Sequence, residues 1–114
     1  MNLVETLRDF QVLGSKDQVK CALGARVFLD LQCDSRVTNL EKCYDSDLNL
    51  VYLQGKRDDA FVAFIPVLSS QPLNLLDIEN IQKFLKKSTY ITLAVCDTSS
   101  NILYYQISSG VIKK

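Results

Sequence analysis

The chain carries, over residues 90–107, the stretch YITLAVCDTSSNILYYQI. Residues 90–96 and 102–107 are rich in β-branched and aromatic side chains, which favour β-strands. The polar residues 97–101 separate the two runs, as the loop of a hairpin would. This stretch therefore predicts a β-hairpin near the C-terminal end of the sequence.

Two apolar runs upstream of the hairpin predict the centre of a sheet. Residues 48–53 are almost continuously apolar and residues 60–67 are apolar throughout, with a polar turn predicted at residues 55–59. Such runs are typical of strands that are buried on both faces between helical layers. Residues 37–44 alternate only weakly between apolar and polar side chains, which predicts a half-exposed strand or an edge strand.

Three helices are predicted around these strands. The first ends at Gly14, a common position after a helix C-terminus. Ser15 and Gln18 predict a capping box that opens a second helix, which fades near Cys33. Asp77 is predicted to cap a third helix, between the central strands and the hairpin. The order predicts an α+β fold, in which helices pack on a mixed or antiparallel sheet of about five strands.

Composition narrows the class of protein. The chain has 114 residues, of which 47% are hydrophobic, so we expect residues 1–114 to form a single domain. Thirteen basic and thirteen acidic residues balance, which argues against a free-standing nucleic-acid binder. Neither a membrane span of about 18 apolar residues nor a signal peptide is recognisable. We therefore expect a compact, soluble, intracellular protein without a membrane contact.

The absence of histidine excludes whole classes of chemistry. No His occurs in the chain, so no His-based triad, dyad or general base is possible. The four cysteines are scattered and include no CxxC pair, which predicts neither a disulfide framework nor a zinc site. We accordingly expect no metal and no cofactor.

A metal-dependent nuclease is the weakest of the alternatives that the sequence leaves open. Such a site needs an acid and a Lys two residues apart on a central strand, together with an upstream acid. The nearest match places Gln54 in the position of the acid and Lys56 in a predicted turn, with Asp45 or Asp47 upstream. The match is poor because Gln carries no charge to hold a metal ion.

The second strand of the hairpin points to association. Its adjacent residues Tyr104 and Tyr105 are predicted to face opposite sides of the sheet. At a sheet edge this strand would expose unpaired backbone groups and apolar surface, which pairing with another chain would cover. A strand that is covered within its own domain is the alternative.

The hairpin also carries a resemblance to a known family. Its runs YITLAVCD (residues 90–97) and ILYYQISSG (residues 102–110) resemble the C-terminal signature of tRNA-splicing endonuclease subunits. Upstream, LNLVY (48–52) and FVAFI (61–65) resemble the strand pair of that family. VFLDL (27–31) is similar to a helix of its smallest, non-catalytic subunit, the Sen-fifteen type. The resemblance implies a tRNA-intron-endonuclease domain, which is restriction-nuclease-like.

The resemblance implies a structural subunit of the nuclear complex that removes introns from precursor tRNA. Active members are metal-independent RNases that use a Tyr, a His and a Lys. Tyr52 matches the Tyr position, but the His position holds Ala60 or Phe61 and the Lys position holds Ile91. The effects of catalytic residues that act as a group are strongly non-additive, so a single remaining member gives no useful turnover. We therefore expect this subunit to be inactive alone.

The resemblance further implies how the chain assembles. In the family, C-terminal strands of two subunits pair and an acidic loop of one enters a basic pocket of another. Here the loop would be residues 97–101, and the partner would be the smaller catalytic subunit. Other endonuclease subunits and precursor tRNA would be reached through the complex, and the isolated chain would form a homodimer. The implied interface residues are Asp97, Ile102, Leu103, Tyr104, Tyr105 and Ile107.

An unrelated dimerisation scaffold, for example of the roadblock type, is the main alternative to this assignment. Its hairpin would resemble that of the endonuclease subunits by chance. It predicts dimers of the chain but no association with any tRNA-processing subunit.

Overall fold

The structure is a computed structural model that describes residues 3–71, 75–85, 90–99, 101–108 and 111–113. Ser100 of the predicted loop, and Ser109 and Gly110 of the hairpin signature, lie outside the described residues. Within the described ranges, no helix is both long and apolar enough to cross a membrane. The elements are α1 (Leu3–Val12), α2 (Gln18–Gln32), β1 (Val37–Asp45), β2 (Leu50–Arg57), β3 (Ala60–Leu68), α3 (Leu75–Phe84), β4 (Tyr90–Cys96), β5 (Ile102–Ser108) and β6 (Val111–Lys113).

The strands form one mixed sheet in the order β1-β2-β3-β4-β5-β6. β3 and β4 are parallel, and all other neighbours are antiparallel. A parallel pair requires a crossover connection, which α3 provides. The predicted α+β fold, the hairpin of β4 and β5, and the edge position of β1 are confirmed. The short strand β6 was not predicted.

Side chains of the central strands alternate between two cores. Leu53 and Phe64 belong to the α2-face core, and Ala63 and Ile65 belong to the α3-face core. β2 and β3 are therefore buried on both faces, as their apolar runs predict. The α2-face core is built mainly from Phe10, Cys21, Val27, Phe28, Leu31, Val51, Leu53, Phe64, Ala94 and Cys96. The α3-face core is built mainly from Tyr52, Ala63, Ile65, Val67, Ile78, Ile81, Ile91, Leu93 and Ile107.

Gly24 allows α2 to lie close to the sheet. A Cβ atom at this position would be 2.8 Å from Val51 Cγ1 and 3.1 Å from Phe10 Cζ. Both distances are shorter than ordinary van der Waals contact. The missing side chain therefore brings α2, β2 and α1 together in the α2-face core.

The two predicted helix caps are corrected by the structure. α2 is capped by Asp17, whose carboxylate accepts a hydrogen bond from the backbone N–H of Lys20 at 3.0 Å. Ser15 lies before the cap, and its Oγ accepts from the N–H of Asp17. An ionised carboxylate accepts a stronger hydrogen bond than a hydroxyl, which favours Asp17. Asp77 lies inside the first turn of α3, which begins at Leu75.

The turn between β2 and β3 is shorter than predicted. Gly55 and Lys56 belong to β2, and only Asp58 and Asp59 reverse the chain. Their φ angles are 53° and 64°. Two consecutive residues with positive φ are typical of the type I′ turn, whose twist matches that of the flanking strands.

Candidate subunit interface at the C-terminal hairpin

β5 has an open edge over its first half. Residues 102–105 pair with β4 on one side, whereas β6 pairs only with residues 106–108 on the other. In the part of the chain that the structure describes, no other strand adjoins that open side. Leu103 lies beside it with 57% of its surface exposed. An open edge next to an exposed large apolar side chain is a surface that another chain can cover.

The predicted interface residues of β5 lie on both faces of the sheet. Tyr104 and Ile102 pack against the α2-face core, where the Tyr104 ring lies edge-on to Phe64 with centroids 6.4 Å apart. Tyr105 packs, half-buried, against the α3-face core. The two tyrosines therefore face opposite sides, as predicted. Ile107 is only 2% exposed within the α3-face core, so its side chain is not presented to a partner.

Asp97 organises the loop between β4 and β5. Its carboxylate accepts hydrogen bonds from the backbone N–H groups of Ser99 at 2.8 Å and Asn101 at 2.9 Å. The Asn101 side-chain amide donates a longer bond of 3.4 Å to the same carboxylate. These bonds, led by that from the Asn101 backbone, lower the pKa of the Asp97 carboxyl. The charge of Asp97 thus stabilises its own loop.

Two contacts join α2 to this hairpin. Arg26 Nη1 donates a hydrogen bond to the backbone carbonyl of Asp97 at 3.3 Å. The Tyr104 hydroxyl donates to Asp30 Oδ2 at 2.5 Å. Burial and the neighbouring Asp30 carboxylate raise the pKa of Tyr104 above its usual range, so the hydroxyl keeps its proton. The sequence analysis did not identify Arg26 and Asp30 as functional residues. The only sequence feature that connects them is a spacing of four residues, which places them on one face of a helix.

The residues of the metal-dependent alternative are not brought together. In the ladder of β1 and β2, Asp45 pairs with Leu50 while Gln54 pairs with Glu41. Asp45 is thus four residues from Gln54 along the strands, or about 13 Å at a rise of about 3.3 Å per residue. The Asp45 carboxylate instead accepts from the N–H of Leu48 at 2.9 Å. The arrangement that a shared metal ion requires is therefore absent from these positions.

A family model described as Sen15 protein matches residues 26–114. The chain belongs to the Sen15 family. It is accordingly a Sen15-type subunit of the tRNA-splicing endonuclease, and its partners are other subunits of that complex. The match includes the whole sheet and the part of α2 that contacts the hairpin, but not α1. A comparison with curated proteins gives no match.

In this Sen15-family chain, the tyrosine that the resemblance places at the catalytic position, Tyr52, lies in the α3-face core. Tyr52 is 8% exposed, and its ring lies edge-on to Phe84 with centroids 6.2 Å apart. Burial raises the pKa of Tyr52 to about 12, with smaller contributions from Cys43 and Asp45. The phenol is therefore held in its neutral form within a packed core.

The residues that the resemblance places at the histidine position, Ala60 or Phe61, and at the lysine position, Ile91, carry hydrocarbon side chains. Phe61 is 55% exposed and pairs with Lys56, whose ammonium lies 5.0 Å from the centre of the Phe61 ring. Lys56 is four residues from Tyr52 along β2, a separation of about 13 Å. Ile91 is buried in the α3-face core. Neither Phe61 nor Ile91 can donate or accept a proton or hold a phosphate charge.

Proposed function

We propose that this Sen15-family chain is a non-catalytic structural subunit that pairs its β5 edge with the smaller catalytic subunit. The observation that carries the proposal is the open edge at residues 102–105 with Leu103 exposed beside it. An added strand would gain backbone hydrogen bonds there, while Leu103 and Tyr105 would set specificity. The chain would then act on precursor tRNA in the nucleus through the assembled complex.

The opposite edge of the sheet supports the choice of β5. The register of β1 shifts between Thr38 and Glu41, where Asn39 has a φ of 54°. This irregular stretch is followed by two charged residues, Glu41 and Lys42. Bulges and charges are the usual means by which a protein prevents an edge strand from pairing. Residues 102–105 of β5 have an uninterrupted register and carry no charge.

The matched catalytic positions support a non-catalytic role. Tyr52 is buried, and by the resemblance Ala60 or Phe61 replaces the histidine of active family members while Ile91 replaces the lysine. The chain contains no histidine at all. The base, acid and cation of the reaction would then come from catalytic subunits, so we expect no cleavage of precursor tRNA by the isolated chain.

The same edge predicts a homodimer when no partner is present. Two copies can pair their β5 strands about a two-fold axis, because one self-complementary patch then serves both copies. Sedimentation of the isolated chain should show a dimer that Leu103→Asp converts to a monomer. Monomers at micromolar concentration in the unmodified chain would contradict this part of the proposal.

Co-expression with a tRNA-splicing endonuclease catalytic subunit tests the heteromeric interface. We expect a complex that survives purification. Leu103→Asp should abolish its capture, because pairing would bury a charge in an apolar contact at a cost of several kcal/mol. Thr38→Asp is the matched control, since Thr38 is exposed on the opposite edge strand β1, and it should leave the complex intact.

The variants separate the competing outcomes. Capture of Leu103→Asp at the level of the unmodified chain would contradict pairing through β5. Loss of capture in Thr38→Asp alone would instead assign the interface to β1. Failure of the unmodified chain to bind any catalytic subunit would favour the unrelated dimerisation scaffold.

A further inference from the structure

The β4–β5 hairpin is fastened to α2 at two points near the open edge. Arg26 bonds to the Asp97 carbonyl in the loop, and Asp30 accepts from Tyr104 within β5. Arg26 and Asp30 are four residues apart and therefore lie side by side on one face of the helix. We propose that these two are positioning residues, which hold β5 in the orientation that its partner strand needs. The proposal rests on the proposed function above.

The Arg26 contact fixes the loop as a unit. The Asp97 carboxylate binds the backbone of Ser99 and Asn101, and the Asp97 N–H donates to the Asn101 carbonyl at 3.1 Å. A loop closed on itself in this way moves with Asp97. One hydrogen bond from α2 to the Asp97 carbonyl therefore restrains Asp97 together with Ser99 and Asn101, which bond to it.

Arg26 has a guanidinium group that the described residues satisfy only in part. Its Nη2 is buried, and it has no hydrogen-bond partner in the part of the chain that the structure describes. The bond from Nη1, together with the attraction between the Arg26 charge and the Asp97 carboxylate, ties this side chain to the loop.

The Asp30 contact fixes β5 itself. The Tyr104 ring packs edge-on against Phe64, and the Tyr104 hydroxyl donates a hydrogen bond to the Asp30 carboxylate. Its neighbours Leu103 and Tyr105 point to the other face of the sheet. A strand with only one paired neighbour opens readily, and a strand held in its bound orientation loses less freedom on binding. Restraining Tyr104 therefore favours association of the open edge.

Binding measurements on folded variants test the positioning role. Arg26→Ala and Asp30→Ala are each expected to weaken binding to the catalytic subunit about tenfold at temperatures where both variants are fully folded. Arg26→Lys and Asp30→Asn keep a donor and an acceptor, and should bind within about threefold of the unmodified chain. A double-mutant cycle combines Asp30→Ala with Tyr104→Phe. The double variant should bind the catalytic subunit as tightly as the weaker-binding of the two single variants, because both substitutions remove the same hydrogen bond.

Lys42→Ala is the matched control for stability. It removes an ion pair of 2.7 Å between Lys42 and Asp9, together with a contact to the Phe28 ring, far from the hairpin. This variant should lower the unfolding temperature without changing affinity. If Lys42→Ala weakens binding as much as Arg26→Ala, the effect is one of stability and the positioning role is overturned.

Hydrogen exchange of the dilute isolated chain gives a readout that needs no partner. Among residues 102–105, the amides that bond to β4 should exchange faster in Arg26→Ala and Asp30→Ala, beyond any change seen in Lys42→Ala. Exchange equal to that of Lys42→Ala would overturn the positioning role. Failure of the unmodified chain to bind a catalytic subunit would contradict the proposed function, while the exchange rates would still decide whether α2 positions β5.

Discussion

Gly24 is a single residue on which the packing of α2 depends. A methyl group there would meet Val51 Cγ1 at 2.8 Å, so the helix or β2 has to move. We expect Gly24→Ala to lower the free energy of unfolding by about 1–3 kcal/mol, the usual effect of overpacking. The loss from overpacking outweighs the gain of about 1 kcal/mol that alanine has over glycine in helix propensity. Chemical denaturation measures the change.

Val19→Ala is the control for this substitution. Val19 lies on the same helix but is largely exposed, so its truncation should change the free energy of unfolding by less than about 0.5 kcal/mol. A Gly24→Ala variant as stable as the unmodified chain would show that α2 can shift without loss of packing.

Tyr52 predicts a specific loss of stability in alkali. Its pKa is raised to about 12 in the folded chain, whereas an unfolded tyrosine titrates near pH 10. Because folding favours the protonated phenol, its contribution is complete below pH 10 and is lost as the pH rises through about 12. Tyr52→Phe should flatten the decline of unfolding free energy over this interval, measured by denaturation at a series of pH values. An unchanged slope would contradict the burial of the phenol.

Tyr52 also predicts the outcome of a cleavage assay. Tyr52→Phe keeps the ring against Phe84 and removes only the hydroxyl. In a reconstituted complex, the rate of precursor-tRNA cleavage should stay within about twofold of the unmodified rate, because a neutral buried phenol supplies no general base. A hundredfold loss would show that this hydroxyl takes part in catalysis.

Among the elements, the turn between β2 and β3 offers a route to higher stability. Asp58 and Asp59 both have positive φ, a conformation in which glycine has no steric penalty. Asp59→Gly should raise the free energy of unfolding by about 0.5–1 kcal/mol. Asp59→Ala should lower it, since alanine resists positive φ. A lower denaturation midpoint for Asp59→Gly would show that the Asp59 side chain stabilises the turn.

Local sequence patterns predicted most elements but not all of their ends. β3 was predictable because every residue in it is apolar. Gly55 and Lys56 resemble turn residues in isolation, yet they belong to β2. A Cβ on Gly55 would lie 3.2 Å from the Thr38 carbonyl, so the irregular β1 strand favours glycine there. That requirement comes from a neighbouring strand, and no local pattern contains it.

The contacts that join α2 to the hairpin could not be predicted for the same reason. Arg26 and Asp97 are 71 residues apart in the chain, and Asp30 and Tyr104 are 74 apart. Hydrophobic periodicity indicates which face of α2 is buried, but it does not indicate which polar side chain lies opposite a given loop. The candidate interface was predictable as a strand, whereas its attachment to α2 required the tertiary structure.

At the scale of the whole molecule, the proposed surface for assembly is a part of the described sheet that neither a helix nor a charged strand occupies. α2 and α3 cover the two faces of the sheet. The β1 edge is interrupted and charged, and the β5 edge is open and apolar. The formal net charge is zero, so no excess of either sign attracts a partner over long distances. Association is therefore expected to depend on backbone pairing and apolar contact at β5.

This balance predicts an assembly that depends little on salt. Interactions between exposed charges are largely screened beyond about 3 Å in 1 M salt, compared with about 10 Å in 0.1 M salt. Backbone pairing and burial of Leu103 do not need such charges, so the dissociation constant of the complex should change by less than about threefold over this range. Docking through the charge of Asp97 would instead weaken steeply with salt. The Asp97 carboxylate already binds its own loop, so we expect no such docking. Titration calorimetry at the two salt concentrations should therefore find the affinity maintained. A loss of affinity of tenfold or more in 1 M salt would assign the interface to the loop.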